Sequence, residues 1–345
     1  MTDSIIFPLL TIAIPTWNRA AYLRQNLEQL VPQLMEVATN QVEILISDNC
    51  STDESPEVVA GFMQRGMPIR YIKNAENIGS DCNVAQCFNE AAGRYVLILG
   101  DDDLLVDGAL PWLVKRLECQ EFGVLCMRPY GYDDDFRKEY PGGSGREMVF
   151  EDGGKFLSKI GPLVTLISAC VINKKLLGQV DARDFCGGNL VQVHLVIRAA
   201  LAAKPSLFLK RYLIACKRNN SGGYDFSRVF VEELGRILDQ YRSMGLKPSA
   251  IWAFETRMLL GYYPFYLLRQ RLAQTGDDES VYVCFKARFG GRWLFRLLLT
   301  PILRLPHPLG VVWGGGATLL GRIATGDLQR GVVFAWHRLV RTVHK

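Results

Sequence analysis

Residues 10–127 alternate between short, mostly apolar runs and longer segments in which apolar residues recur every three or four positions. Runs of the first kind predict strands buried on both faces, and segments of the second kind predict helices. The predicted strands lie at 10–15, 42–46, 69–72, 95–99 and 122–127. Because helical segments separate them, the pattern indicates an α/β fold with a mostly parallel, Rossmann-like sheet flanked by helices.

Capping residues predict where the first two helices begin. Asn18 stands just before a run with helical spacing, so it is expected to be the N-cap of the first helix. Ser51 and Glu54 have the spacing of a capping box, which predicts that the second helix opens there.

The polar chemistry of this region follows the strands directly. Ligands of parallel sheets bind at the carboxyl ends of the strands. In this chain those ends carry Thr16–Arg19, Asp48 with Asn49, residues 74–81, and Asp101–Asp103. We therefore expect these groups to meet at one edge of the sheet.

Three consecutive acids, Asp101, Asp102 and Asp103, follow the strand at 95–99 after a single glycine. Three carboxylates held together repel one another, which raises their pKa values unless positive charge lies nearby. Mg²⁺ or Mn²⁺ would supply this positive charge, since such ions are held by one or two carboxylates and also bind the phosphates of a substrate. The alternative is a solvated acidic turn, with Asp107 capping the next helix.

Patterns of several other functional classes are missing from the sequence. No GxGxxG follows the first strand and no Gly-Lys-Ser/Thr phosphate loop occurs, which argues against a dinucleotide site and against a sugar nucleotidyltransferase. The four histidines form no zinc motif, and the nine cysteines are scattered singly, as expected of free thiols in a reducing compartment. The start of the chain has no basic segment followed by a long apolar run, so no signal peptide is expected. Gly314–Gly316 indicate a break in an apolar segment.

Four motifs together resemble family 2 glycosyltransferases of the GT-A fold. They are Thr11–Arg19 (TIAIPTWNR), Ile44–Asp53 (ILISDNCSTD), Asn77–Gly79 (NIG) and Gly100–Asp103 (GDDD). The stretch from Ile78 to Asn83 further resembles the abequosyltransferase-like branch that acts in O-antigen assembly. The resemblance covers about the first 110 residues.

The resemblance implies a role for each matching position. Residues near the nucleotide sugar would be Pro15, Thr16, Asn18, Arg19, Asp48, Asn77, Gly79, Asp81 and Asp101, with Asp48 accepting hydrogen bonds from the base. Asp102, together with Asp103 as a second candidate ligand, would bind Mn²⁺ or Mg²⁺. The family pattern is Asp-x-Asp-Asp, whereas this chain has Gly100 at the first position, so which two acids form the metal motif stays open.

A catalytic base and a phosphate-binding arginine are implied further along the chain. The family's Glu-Asp pair is missing at 181–194, where Asp184 is the first candidate base, followed by His194 and Asp181. Each of the three has a structural alternative, as a cap or as a hydrogen-bonded helix residue. Arg218, in a loop reaching Gly223, resembles the family's late loop near the pyrophosphate, with a plain surface loop as the alternative.

The C-terminal part differs from the rest of the chain in charge. Residues 286–345 carry ten Lys or Arg and one acid, a net charge of +9, whereas the first 285 residues carry 30 basic and 34 acidic groups, a net charge of −4. We expect a glycosyltransferase domain at 1–225 and a helical basic region at 226–345. Its mixture of apolar blocks, tryptophans and arginines favours an anionic membrane surface over nucleic acid. An ordinary helical subdomain or a surface for homo-oligomerisation is the alternative.

These observations predict a metal-dependent, inverting glycosyltransferase. It would move a sugar from a nucleotide-sugar donor to a lipid-linked saccharide acceptor during cell-surface polysaccharide synthesis. It would be cytoplasmic and peripheral to the inner face of the cytoplasmic membrane. The alternative is a GT-A module that binds sugar nucleotides or acts as a scaffold without catalysis.

Overall fold

The computed structural model describes residues 7–218, 223, 225–275 and 277–326. These residues form two compact units. The first contains residues 7–156 and 163–218, and the second contains residues 157–162 together with the described residues from 223 onward.

The first unit is built around one sheet. Its strands are β1 (Leu10–Thr16), β2 (Val42–Asp48), β3 (Ile69–Lys73), β4 (Tyr95–Ile98), β5 (Asp103–Leu105), β6 (Val124–Tyr132), β7 (Glu147–Phe150), β8 (Cys170–Asn173) and β9 (Ser206–Lys217). The helices up to residue 201 are α1 (Ala20–Leu34), α2 (Ser55–Gln64), α3 (Ser80–Glu90), α4 (Ala109–Cys119), α5 (Gly153–Ile160) and α6 (Val191–Leu201).

The strands are ordered β3-β2-β1-β4-β8-β6-β9-β5, and β7 pairs with β9. The first four strands of this order are parallel, as the strand–helix alternation predicts. Beyond β4 the sheet is mixed, because β8 runs antiparallel to both β4 and β6. In the parallel part Thr16 pairs in register with Asp48, so the ends of β1 and β2 reach the same edge.

Apolar residues of the parallel strands are buried against the helices that connect them. Ile12 and Ile14 of β1 and Leu23 and Leu27 of α1 are fully buried in one core cluster. Burying an aliphatic side chain of this size contributes roughly 1.5–3 kcal/mol, so the strands and helices are fixed mainly by this packing. The packing in turn fixes the loops at the carboxyl edge.

The predicted helix caps are wrong. Helix α1 begins at Ala20 without a side-chain cap from its N-cap residue, and α2 begins at Ser55 rather than after Ser51. Asn18 instead accepts a hydrogen bond from the Thr52 N–H at 2.8 Å, and its own N–H donates to Ser51 Oγ at 2.9 Å. The side chains expected to cap helices are used to join the loops after β1 and β2.

The second unit is helical. Its helices are α7 (Leu234–Gln240), α8 (Pro248–Gly261), α9 (Tyr263–Ala273), α10 (Asp278–Phe289), α11 (Thr300–Arg304) and α12 (His307–Thr325), with π-helical turns at Arg228–Glu233 and Phe295–Leu299. The predicted break at Gly314–Gly316 is wrong, because α12 runs through these glycines without interruption. Among the described helices, none combines the length and the apolar character that crossing a bilayer requires. The basic residues beyond 326 lie outside the described part of the chain.

Candidate active site

The carboxylate of Asp101 lies at the end of β4 and is bound by two residues that follow β1. Thr16 Oγ1 donates to Asp101 Oδ2 at 2.8 Å, and Arg19 Nη1 donates to Asp101 Oδ1 at 3.0 Å. The same guanidinium nitrogen lies 3.3 Å from Asp102 Oδ2. Because β1 and β4 are parallel neighbours, their carboxyl ends meet, which brings the first and last of the sequence motifs into direct contact.

The backbone of the acidic turn is held from two sides. Asn26 of α1 donates through Nδ2 to the carbonyl oxygens of Gly100 at 3.2 Å and of Asp103 at 2.6 Å. The Gly100 N–H donates to Ser168 Oγ at 2.9 Å, and the Ser168 hydroxyl donates to the Asp103 carboxylate. Both Asn26 and Ser168 are buried, so the turn is fixed by groups with no access to water.

Gly100 is explained by the space around it. A Cβ at this position would lie 3.2 Å from Asp102 Oδ1 and 3.2 Å from Asp103 Oδ2, tighter than ordinary contacts. An aspartate at position 100 would add a fourth carboxylate to this crowded turn. Glycine in place of the family's first aspartate is therefore consistent with the close packing of the three acids that follow it.

Burial and mutual repulsion act on the three acids. Burial raises the pKa of Asp101 to about 6, despite the neighbouring Arg19 guanidinium. Burial, together with the charge of Asp102, raises the pKa of Asp103 to about 7. Asp101 and Asp103 are only 5% and 6% exposed, whereas the side chain of Asp102 is 17% exposed. Asp102 is therefore the most accessible acid of the three.

Asp48, at the end of β2, is completely buried. Its Oδ1 accepts a hydrogen bond from the Ser51 N–H at 2.7 Å, and its Oδ2 accepts one from the Tyr71 hydroxyl at 2.5 Å. These bonds fix the loop that follows β2. Direct contact between Asp48 and a base, as the resemblance implies, would require Ser51 or Tyr71 to give way.

Asn49 organises the loop after β3, although the sequence analysis assigned it no role of its own. Its Nδ2 donates to Asn77 Oδ1 at 2.7 Å, and its Oδ1 accepts from the Ile78 N–H at 2.9 Å. Gly79 then adopts a φ of +85°, a conformation that favours glycine, and serves as the N-cap residue of α3. The position of Asn49 directly after Asp48 was the signal that could have identified it.

Asp81, in the first turn of α3, binds a loop more than a hundred residues later. Its Oδ2 accepts hydrogen bonds from the Gly187 N–H at 2.8 Å and from the Asn189 N–H at 2.7 Å. Burial raises the pKa of Asp81, while these backbone donors act in the opposite direction. The contact places the 187–189 loop beside the N-terminus of α3, at the carboxyl edge of the sheet.

The three candidate bases lie on either side of this loop. Asp181 is an N-cap: it accepts from the Arg183 N–H at 2.9 Å, and Asn89 Nδ2 donates to it at 2.5 Å. His194 is buried in α6, and its ring stacks on Phe185 with 4.5 Å between the ring centroids. Asp184 is exposed on the 3-10 turn Ala182–Phe185. Asp181 and Asp184 are thus both exposed, and Asp181 is already engaged as a cap.

Arg218 is held by two acids of the first unit. Its Nη1 lies 2.9 Å from Asp133 Oδ2 and 2.7 Å from Glu139 Oε2, and Nη2 donates to the Gly131 carbonyl. These contacts give Arg218 a structural role at the end of β9. A phosphate could recruit the guanidinium only in competition with both carboxylates. Residues 219–222 of the predicted phosphate loop lie outside the described residues.

Part of the chain is similar in sequence to known glycosyltransferases. Residues 11–180 match the family model of glycosyl transferase family 2. The abequosyltransferase RfbV of Salmonella typhimurium is 36% identical over 121 residues, which are 35% of this chain and 36% of that protein. A GalNAc(5)-diNAcBac-PP-undecaprenol beta-1,3-glucosyltransferase of Campylobacter jejuni is 30% identical over 110 residues, which are 32% of this chain and 34% of that protein. The matches thus span about a third of the length of these relatives.

The fold extends the likeness beyond the matched segment. The crystal structure of S. aureus TarS 1-349 in complex with UDP-GlcNAc superimposes with a TM-score of 0.59 at 14% identity, over 95% of this chain and 91% of that one. At this identity the likeness establishes the fold alone. The resemblance read from the four sequence motifs is confirmed: the chain has the GT-A fold, and its residues 11–180 form a domain of glycosyl transferase family 2.

Proposed function

We propose that this protein is a glycosyltransferase that uses a nucleotide-sugar donor. The observation that carries the proposal is the group formed by Thr16, Arg19 and the acids Asp101 and Asp102 at the carboxyl ends of β1 and β4. This edge is where open α/β sheets bind nucleotides. TarS, which shares the fold, was crystallised with UDP-GlcNAc and with UDP, which supports a nucleotide ligand for this chain.

The donor set at the end of β4 suits a hard divalent cation that a substrate helps to hold. Within the described residues, no three His, Cys, Asp or Glu side chains form a complete metal site. Asp102 also lies near Arg19, but its side chain is more exposed than those of Asp101 and Asp103, which makes it the preferred ligand. Mg²⁺ and Mn²⁺ are commonly held by one or two carboxylates plus phosphate oxygens, so this arrangement fits them. Asp103 stays the second candidate ligand.

The transfer we propose is an inverting displacement. An acceptor hydroxyl attacks the anomeric carbon, the bond to the diphosphate breaks, and a base takes the proton of the hydroxyl. A bound cation would neutralise the charge that develops on the leaving diphosphate. Asp184 is our first candidate for the base because it is exposed and lies just before the 187–189 loop that Asp81 anchors. Asp181 is less suited, since it already caps a turn.

The acceptor and the location are part of the same proposal. The Campylobacter jejuni relative is named for an undecaprenol-linked acceptor, which supports a lipid-linked saccharide acceptor here. The relation to RfbV supports a role in cell-surface polysaccharide assembly. An enzyme that works on such an acceptor would be peripheral to the inner face of the cytoplasmic membrane.

The experiment is a donor screen of the full chain. A panel of nucleotide sugars is tested for thermal stabilisation with and without Mn²⁺, since a ligand that binds the native state raises its stability. Donors that stabilise are then assayed for hydrolysis, which releases the nucleoside diphosphate. We expect one class of donor to stabilise the protein in the presence of the metal and to be hydrolysed slowly without acceptor.

Two results would contradict the proposal in different ways. Stabilisation by a nucleotide sugar without any hydrolysis or transfer, across acceptors, would favour the non-catalytic binding module. If no nucleotide sugar stabilised the protein, with or without Mn²⁺, the proposed nucleotide-sugar site itself would be contradicted. Glu36, an exposed acid just after α1, provides a control for acid substitutions outside the site. Glu36→Gln is expected to behave as wild type in both measurements.

A further inference from the structure

Helix α12 has a buried face made of small residues. These are Gly310, Gly314, Ala317 and Gly321, which recur every three or four positions and so share one side of the helix. A Cβ on Gly321 would lie 1.8 Å from the Leu260 carbonyl oxygen of α8. Without side chains on this face, α12 can approach its neighbours closely.

The opposite face of α12 carries large apolar side chains, and they are exposed. Val312 is 74% exposed, Leu320 60%, and Leu309 and Ile323 56% each. Trp313 and Leu319 are also exposed and complete the same stripe. We call these six residues the α12 face.

This arrangement reverses the usual pattern of a helix on a water-soluble domain. Such a helix turns its large apolar residues toward the core and its polar residues toward solvent. The α12 face instead exposes apolar groups over about four helical turns, and none of its six residues is charged. A contiguous apolar surface of this extent marks an interaction site.

A second apolar group continues the face. Trp313 Nε1 donates to the Leu297 carbonyl at 3.1 Å, which places the π-helical turn at Phe295–Leu299 beside α12. Leu297 is 48% exposed, and Trp293, one turn earlier, is 66% exposed. Tryptophans at the margin of an apolar surface are typical of side chains that lie between water and hydrocarbon.

The charge of this part of the chain indicates what the face meets. Residues 280–326 contain six Lys or Arg and no Asp or Glu. Arg288 and Arg292 pair with acids of earlier helices, and Arg304 pairs with Glu279. Even when the three acids Asp239, Glu255 and Glu279 are set against its six cations, the group keeps a net charge of +3. An anionic surface is therefore its electrostatic complement, whereas a second copy would bring like charges together.

We infer that the α12 face, with Trp293 and Leu297, is a surface that inserts into the interface of an anionic lipid bilayer. The surface lies wholly within the second unit. The inference deepens the peripheral membrane location proposed above, but it depends on no step of the transfer reaction. Apolar insertion supplies affinity, and the surrounding arginines select anionic over neutral lipid.

The test is co-sedimentation of the full chain with lipid vesicles. One set of vesicles is phosphatidylcholine alone, and the other contains about 30% phosphatidylglycerol, which provides the negative surface potential. The variants are Val312→Glu and Leu320→Glu, which place a charge in the centre of the face. Both positions are exposed, so the fold is expected to tolerate them. Met35→Glu, at an 84% exposed apolar residue of the first unit, is the matched control.

We expect the wild type and Met35→Glu to pellet with the anionic vesicles and to bind the neutral ones weakly. Each α12 variant is expected to partition roughly tenfold less, or weaker still, because a charge is costly in the interface. Equal binding of Leu320→Glu and wild type would overturn the inference, as would no binding to anionic vesicles. So would a dimer in sedimentation velocity that Leu320→Glu converts to monomer, since a second copy would then cover the face. Donor hydrolysis in solution is expected to be unchanged in both variants, so vesicle binding and turnover can fail independently.

Discussion

Ser168 binds Asp103, which lies 65 positions earlier in the chain. The serine hydroxyl donates to the Asp103 carboxylate and accepts from the Gly100 N–H, so one buried side chain fixes both ends of the acidic turn. It precedes β8, the strand that pairs with β4, and is therefore carried to the turn by the sheet. Nothing in the local sequence around Ser168 indicates this role.

Ser168→Ala is expected to destabilise the protein by about 1–3 kcal/mol, because it leaves a buried carboxylate and a buried N–H without their partner. The turn that carries Asp102 would also loosen, so turnover is expected to fall together with stability. Urea unfolding and donor hydrolysis measure the two effects. Ser243→Ala, at an exposed serine, should change neither. Full stability in Ser168→Ala would show that the hydroxyl does not hold the turn.

Asp102→Asn tests the preferred metal ligand. The change removes a negative charge beside two other acids, so the melting temperature is expected to stay the same or to rise. Metal-dependent turnover is expected to fall roughly a hundredfold or more, since the charge on the leaving diphosphate would lose its counterion. Titration with Mn²⁺ in the donor assay measures the loss. Wild-type rates in this variant would exclude Asp102 as the ligand.

Asp184→Asn and Asp181→Asn separate a catalytic base from a cap. Asp184 is the first candidate for the base, so its substitution should abolish transfer to an acceptor while donor binding, seen as thermal stabilisation, is kept. Asp181 accepts from the Arg183 N–H, and asparagine keeps an acceptor oxygen at this cap, so Asp181→Asn should change stability little and leave transfer intact. If Asp181→Asn abolished transfer and Asp184→Asn did not, Asp181 would be the base and Asp184 would not. If both variants transfer normally, His194 becomes the candidate to test.

Glu121→Gln tests the linkage between charge and stability away from the site. Glu121 pairs with Lys204 at 2.8 Å and with Arg94 at 2.5 Å, and these partners hold its pKa at about 2, below the ordinary 4.5. A depressed carboxyl pKa contributes stability above pH 4.5 that is lost as the pH falls toward 2. Because both partners are partly exposed, we expect Glu121→Gln to cost only about 1 kcal/mol at pH 7.

The pH dependence gives this prediction its control. The difference in unfolding free energy between Glu121→Gln and wild type should shrink steadily between pH 4.5 and 2, where the glutamate becomes protonated. Urea unfolding of both proteins at pH 7 and at pH 3 measures it. A difference that is the same at both pH values would mean that the carboxylate charge contributes nothing.

Gly321→Ala and Gly315→Ala compare the two faces of α12. A Cβ at 321 would collide with the Leu260 carbonyl, so this substitution is expected to destabilise the protein by about 1–3 kcal/mol. A Cβ at 315 meets nothing within 4 Å, and alanine there should stabilise the helix by roughly 0.5–1 kcal/mol. Thermal unfolding of the two variants shows whether each substitution lowers or raises the stability of the protein. Equal effects would show that α12 does not pack through its small residues.

The sequence by itself determined the elements whose signals are local. Continuous apolar runs marked β1 to β4, since strands buried on both faces need no alternation, and helical spacing marked the helices between them. The strand–helix order placed Thr16, Asp48 and Asp101 at one edge, because parallel strands end on the same side. Four short motifs were enough to indicate the family, and the family comparison confirmed it.

Tertiary structure decided what depends on partners distant in the chain. Asn18 and Ser51 could each have capped a helix, but the loops after β1 and β2 lie together and the two residues bind one another instead. Likewise, Gly321 would be unfavourable in an isolated helix, but α12 requires it, since a side chain there would collide with the Leu260 carbonyl of α8. A local pattern states what a residue is able to do, and only the folded chain determines which neighbour it meets.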